Sequence, residues 1–276
     1  MLRASLVYGF GWIVMSIYGG EVCPFLESLT VREWATTLLV AFALAFALRT
    51  WAVGRWGVPA NASAVDAYHG ARQFTLEFVP FALVGVGVAA FDRDYYGFPF
   101  AESGLAAVLV GAVLIGIFSA IHLSLDAERR LILSLKAKGK SLAKNRGFFP
   151  LTRKFALFAS VLMLAMTTVT LMVVSHDLAD SISFSQALVA DQARMVMMLQ
   201  VGFIMLVFLI IVLDLIFNYS RNLRLLFENE IEVLEEVDRG GLQGHVSVVT
   251  NDEFGIIADY TNRMIESLRN RTEELE

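Results

Sequence analysis

Residues 239–268 read RGGLQGHVSVVTNDEFGIIADYTNRMIESL, and the reading of this stretch decides the fold. Gly240-Gly241 stops a helix, because paired glycines favour the positive φ of a turn. Leu242, Val246 and Val248 then alternate with polar residues, as an extended connector with one apolar side would. Asn251 or Asp252 is the expected N-cap, and Asp252 with Glu253 suits the positive start of a helix. From there Phe254, Ile257, Thr261, Met264 and Leu268 step by three and four, the seam of a coiled coil. Upstream, Leu223, Leu226, Phe227, Ile231, Leu234 and Val237 share a broad helical face interleaved with glutamates. Two such helices cannot close a core alone. A parallel homodimer forming a four-helix bundle is the expected solution.

Working outward, the rest of the chain is apolar. The 276 residues are 57% hydrophobic and 18% charged, with a mean hydropathy of +0.62. An ordinary soluble domain is about 45–50% apolar, so that class is excluded. Apolar runs near the roughly 20 residues that cross a bilayer recur along the chain. Six transmembrane helices are expected, at about 5–20, 34–53, 74–91, 104–125, 155–174 and 195–217. The first is short, aromatic and glycine-containing; without a small-residue cleavage site it reads as a retained span rather than a signal peptide. The third contains Pro80, a breaker that neighbouring helices can accommodate in a membrane. The fold class is therefore an all-α membrane protein: a six-span domain over 1–217, a helix–connector–helix module over 218–272, and the start of a linker at 273–276.

Basic residues set the orientation. The segment between the fourth and fifth spans carries Arg129, Arg130, Lys136, Lys138, Lys140, Lys144, Arg146, Arg153 and Lys154. Arg49, Arg55 and Arg72 surround the second-to-third connection, and Arg221 and Arg224 follow the sixth span. The opposite loops hold single arginines (Arg32, Arg93, Arg194) among a larger number of acids. The positive-inside bias places both termini in the cytoplasm of a plasma (inner) membrane, as an even number of spans requires. The outer loops are too short for a folded sensory domain. Any input must come from the membrane, from a pocket between spans, or from a partner.

Residues 218–272 resemble a HAMP domain, the linker between membrane spans and output domains in bacterial receptors, kinases and cyclases. The resemblance rests on Gly240 with Leu242, Val246 with Val248, Asp252-Glu253-x-Gly255, Asn262 with Met264, and Leu268. The chain departs from the family pattern in three places. It lacks a proline early in the first helix, has Gly241 where Asp is frequent, and has Thr261 where Phe is usual. The resemblance implies a dimeric relay whose working residues are Leu226, Ile231, Leu234, Gly240, Leu242, Val246, Val248, Asp252, Glu253, Gly255, Asn262, Met264 and Leu268. The layout of six spans and this module is also similar to the membrane anchor of bacterial class III adenylate cyclases. That likeness implies a cytoplasmic output domain, in cis or in trans, with cyclase activity. A histidine kinase or a cyclic-di-nucleotide enzyme is the alternative output. Arg269 to Glu276 reads as a helix continuing into such a domain, and no catalytic motif stands in the chain itself.

Other candidates weigh less. The single cysteine, Cys23, excludes an internal disulfide framework or a cysteine-based metal site. His122 lacks partners with metal-ligand spacing and reads as a packing histidine; no cofactor is expected. Glu77 and Asp214 are acids inside apolar spans, which makes each a candidate for ligand, proton or coupling chemistry. Their expected bland partners are Arg72 and Arg221. The basic loop needs no role beyond setting topology and meeting anionic lipid. It lacks interleaved aromatics, so nucleic acid is not an expected partner. A transporter should show half-repeats and broken helices around a midplane site, and no repeat relates 1–100 to 101–220.

Overall fold

The computed structural model describes residues 2–22, 29–56, 70–97, 105–138, 150–183, 187–248, 250 and 252–275. These residues form seven helices: α1 (Leu2–Val22), α2 (Val31–Trp56), α3 (Gly70–Tyr96), α4 (Leu105–Lys138), α5 (Leu151–Ser183), α6 (Ala187–Asp238) and α7 (Glu253–Glu273). Lys140, Lys144 and Arg146 of the basic loop, Cys23, and the alternative N-cap Asn251 lie outside the described residues.

Five helices contain stretches long and apolar enough to cross a membrane: Val31–Trp56, Gln73–Tyr96, Val108–Ser134, Leu151–Val174 and Met198–Asp238. They correspond to the second through sixth expected spans. The first expected span is helical throughout Leu2–Val22 but is not among the five. Arg3, Ser5, Tyr8, four glycines, Trp12 and Ser16 dilute its apolarity. Pro80 sits within α3 without ending it.

The described residues cluster into two compact units. The first holds α1, α2, most of α3, α4 as far as Ser124, α5 from Val161 and α6 as far as Leu215. Its core runs through Tyr8, Met15, Leu38, Phe42, Phe81, Val108, Ala165 and Phe208. The Tyr8 ring meets Phe81 at 4.4 Å and Phe46 at 5.3 Å between centroids. Two indoles tie α1 to α2, with Trp12 Nε1 donating to the Ala35 carbonyl and Trp34 Nε1 to the Ser16 carbonyl, each at 3.1 Å. Such bonds matter in an apolar medium, where an unsatisfied polar group is costly. Helix α2 opens with a capping box. Thr30 N and Oγ1 donate to Glu33 Oε2 at 2.9 and 2.7 Å, and Glu33 N returns a bond to Thr30 Oγ1 at 3.3 Å. Small residues bring α3 against α4: a Cβ on Gly85 would stand 2.6 Å from Ala112 Cβ, and one on Gly116 would stand 2.8 Å from Phe81 Cβ.

The second unit holds the ends of α4, α5 and α6 beyond those residues, the connector and α7. Val233, Val246, Ala258 and Ile265 form its apolar centre, with Val237 and Val248 packed on them. Asn222 Nδ2 donates to the Leu125 carbonyl at 3.0 Å. The Phe155 and Tyr219 rings meet edge to face at 4.9 Å, and Lys136 pairs with Glu232 at 2.6 Å.

Candidate functional site

Helix α6 is one uninterrupted helix of 52 residues, Ala187–Asp238. At 1.5 Å per residue it is about 78 Å long. It ends in a Schellman turn: Gly240 takes φ +86°, its amide donates to the Val237 carbonyl, and the Gly241 amide donates to the Glu236 carbonyl, both at 2.9 Å. The chain then runs through Leu242, Val246 and Val248 without helix or strand.

The connector is held by side chains rather than by a ladder. Asn262 on α7 clamps the Val246 peptide from both sides, accepting from its N–H at 2.8 Å and donating to its carbonyl at 2.9 Å. Gly255 lies against the Thr250 peptide so closely that any Cβ would collide with that carbonyl oxygen. Thr261, in the seat expected for a larger residue, is buried and donates its hydroxyl proton to Glu230 of α6. The Phe227 and Phe254 rings meet edge to face at 5.0 Å.

Asp252 and Glu253 form a corner. Asp252, 3% exposed, is the N-cap of α7 and accepts from the Phe254 amide at 3.2 Å. Its other oxygen accepts from Lys154 Nζ at 2.7 Å. Glu253 accepts from the amide of Leu151, the first residue of α5, at 2.8 Å. That amide is one of the donors a helix start leaves open. The acidic pair thus caps two helices at once. Sequence reasoning placed Asp252 and Glu253 at the start of α7 but not against α5. By sequence alone Lys154 is one charge of a topology-setting loop.

The remaining expected relay residues divide by face. Val246, Gly255 and Asn262 lie on the inner side of the second unit, while Leu226 and Leu242 are half-buried. Ile231, Leu234, Ile257, Met264 and Leu268 are exposed on the single chain. Val233, Ala258 and Ile265, which fill the centre, were not singled out in the sequence. Ala258 and Ile265 are seven residues apart, a spacing that would have found them.

In the first unit the acids meet partners other than those expected. Glu77 is fully buried, and its oxygens accept from Arg49 Nε at 2.5 Å and Nη2 at 2.6 Å, with Gln73 Nε2 adding a bond at 2.9 Å. Arg49 sits two turns before the end of α2, so its guanidinium stays inside the bundle, itself buried. Asp214 pairs with His122 Nδ1, joining α6 to α4. His122 is therefore a hydrogen-bond partner of an acid that the sequence placed nearer Arg221. Asp92, by sequence one of the acids of the opposite loops, lies on α3 fully buried, and neither carboxylate oxygen has a hydrogen-bond partner among the described residues. Among the described residues no group of three His, Cys, Asp or Glu side chains converges to hold a metal.

A bundle of apolar helices around a buried Arg49–Glu77 ion pair, with α6 continuing into a capped helix–connector–helix module, defines a multi-pass helical membrane protein of a signalling kind. Residues 7–203 match the MASE10 family, and the chain belongs to it. MASE10 is a membrane-associated sensory domain found in cyclic di-GMP signalling proteins. The chain is similar to a cyclic di-GMP phosphodiesterase of Vibrio cholerae serotype O1 (strain ATCC 39315 / El Tor Inaba N16961), with 24% identity over 266 residues. The match covers 95% of this chain and 51% of that protein, so the chain spans about half the length of its curated relative. No solved structure matches.

Proposed function

We propose that this chain is the membrane input and relay half of a cyclic di-GMP signalling protein, working as a homodimer through a HAMP-like module at 218–272. The observation that carries this reading is the continuity of α6. One helix holds the sixth apolar stretch, Asp214, and the whole first arm of the module up to Gly240. A rotation, tilt or slide of the membrane portion is transmitted along it without a joint. The connector, clamped at Val246 and pressed on Gly255, then couples that arm to α7. Packed cores tend to be bistable rather than continuously deformable, so a small shift is enough.

Six spans with both termini in the cytoplasm remain our reading, with α1 completing the bundle through its indole bonds to α2. The exposed stripe of Ile231, Leu234, Ile257, Met264 and Leu268 is assigned to the second copy. The output that the layout suggested first, a nucleotide cyclase, gives way to its alternative. Membership of MASE10 and the phosphodiesterase relative both favour an enzyme that makes or degrades a cyclic di-nucleotide, in cis after Glu276 or in trans. The His122–Asp214 pair is proposed to hold α6 against α4 in one of the two states.

The test is a chimaera joining the chain at Glu276 to a cyclic di-GMP phosphodiesterase domain. Gly240→Val and Asp252→Lys should raise or lower turnover while membrane insertion is retained. Turnover indifferent to both substitutions, with insertion intact, refutes the relay.

A further inference from the structure

The first unit contains a half-open pocket of about 350 Å³, lined by α1, α4, α5 and α6. That volume lies within the range of sites for small molecules, roughly 300–1,000 Å³. Its lining is apolar, with Val14, Leu114, Phe118 and Val173 representative. No Asp, Glu, Lys, Arg or His lines it among the described residues. A charged occupant would therefore lie against an apolar wall without a counter-charge, at a large desolvation cost.

Two polar groups reach this wall. Gln200 contributes an amide from α6, and Tyr18 contributes a phenol from α1. Tyr18 is buried, and its hydroxyl donates to the Met172 thioether at 3.7 Å. Sulfur is a weak acceptor, so an oxygen arriving in the pocket competes for that proton on favourable terms. Gly111 lets the phenol lie there, since a Cβ on it would press on the Tyr18 ring and stand 3.2 Å from Met15 Sδ.

We infer that this pocket binds a neutral lipophilic molecule carrying one hydrogen-bonding oxygen, with its head at Tyr18 and Gln200. Seven of the sixteen lining residues come from α6, between Leu199 and Ile211, the helix that continues to Gly240. An occupant preferring one position of α6 shifts the balance of states by its difference in affinity. This consequence rests on the relay reading above; binding itself does not.

The experiment is photolabelling of the chain in nanodiscs with a decanol analogue bearing an aliphatic diazirine. A phospholipid with the same diazirine in its acyl chain serves as the second arm. Labelling by the alcohol should saturate, map to Leu199–Ile211, and be displaced by excess n-decanol. Val207→Trp, which fills the space, should abolish it. Tyr18→Phe, which removes one oxygen and keeps the ring, should weaken it roughly fivefold, the loss of one neutral hydrogen bond. Unsaturable labelling, equal labelling by the phospholipid, or full labelling in Tyr18→Phe overturns the inference. No output domain is involved, so a failed relay leaves this result untouched, and failed labelling leaves the relay standing.

Discussion

Asn262 carries more of the module than its size suggests. It satisfies both polar groups of a peptide that belongs to neither helix nor strand. Asn262→Ala should destabilise the second unit by about 1–3 kcal/mol, the cost of leaving buried backbone groups unpaired. Hydrogen exchange at the Val246 amide should accelerate first; unchanged protection there would contradict the clamp. In the first unit Arg49 and Glu77 are both buried. Removing one partner of such a pair costs about 3–5 kcal/mol, whereas replacing both by apolar residues is often nearly neutral. Arg49→Met should therefore lower thermal stability in detergent strongly, and Arg49→Met with Glu77→Met should recover most of it. Additive losses would show that the two side chains act independently. Glu77 stood out in the sequence as an acid within an apolar run. Its partner did not, because Arg49 lies 28 positions away on another helix and a closer arginine, Arg72, was available in the sequence.

At the scale of elements, the two ends of the module were legible for local reasons. Gly240-Gly241 and Asp252-Glu253-Phe254-Gly255 each encode a boundary in adjacent residues, and the structure turns and caps at those points. The apolar stripes were legible too, but a single chain offers two faces to a helix of this kind. The sequence rhythm selected Ile257, Met264 and Leu268, whereas the intrachain centre takes Ala258 and Ile265, one position round. We propose that the first stripe meets a second copy, and cysteine scanning of α7 in a Cys23→Ser background tests it. Leu268→Cys should give symmetric disulfide-linked dimers in membranes and Glu266→Cys little product. A monomer at Leu268, or equal yields at both positions, would remove the second copy from that stripe. The link from Asp252 and Glu253 to α5 was not readable, since it joins positions about a hundred residues apart. Lys154→Ala should leave α7 formed, because Asp252 keeps its capping bond to Phe254, yet loosen its start; faster exchange confined to 252–256 is the expected signature.

On the scale of the whole molecule, composition alone settled the membrane class, and hydropathy found all five of the helices apolar enough to cross. It was ambiguous for α1, where Gly11, Gly19 and Trp12 serve packing against neighbouring helices rather than lipid. The buried carboxyl of Asp92 escaped for a related reason: at a span end, sequence does not say which way a side chain turns. The central claim concerns transmission along α6, and insertions test it most directly. One residue added between Asn218 and Arg224 rotates everything downstream by about 100°, while seven restore the face within about 20°. In the phosphodiesterase chimaera, cyclic di-GMP turnover measured for insertions of one to seven residues should change with helical phase and return close to the parent value at seven. Turnover that is flat across the series, or that falls steadily with length, would contradict a rigid rod passing the signal.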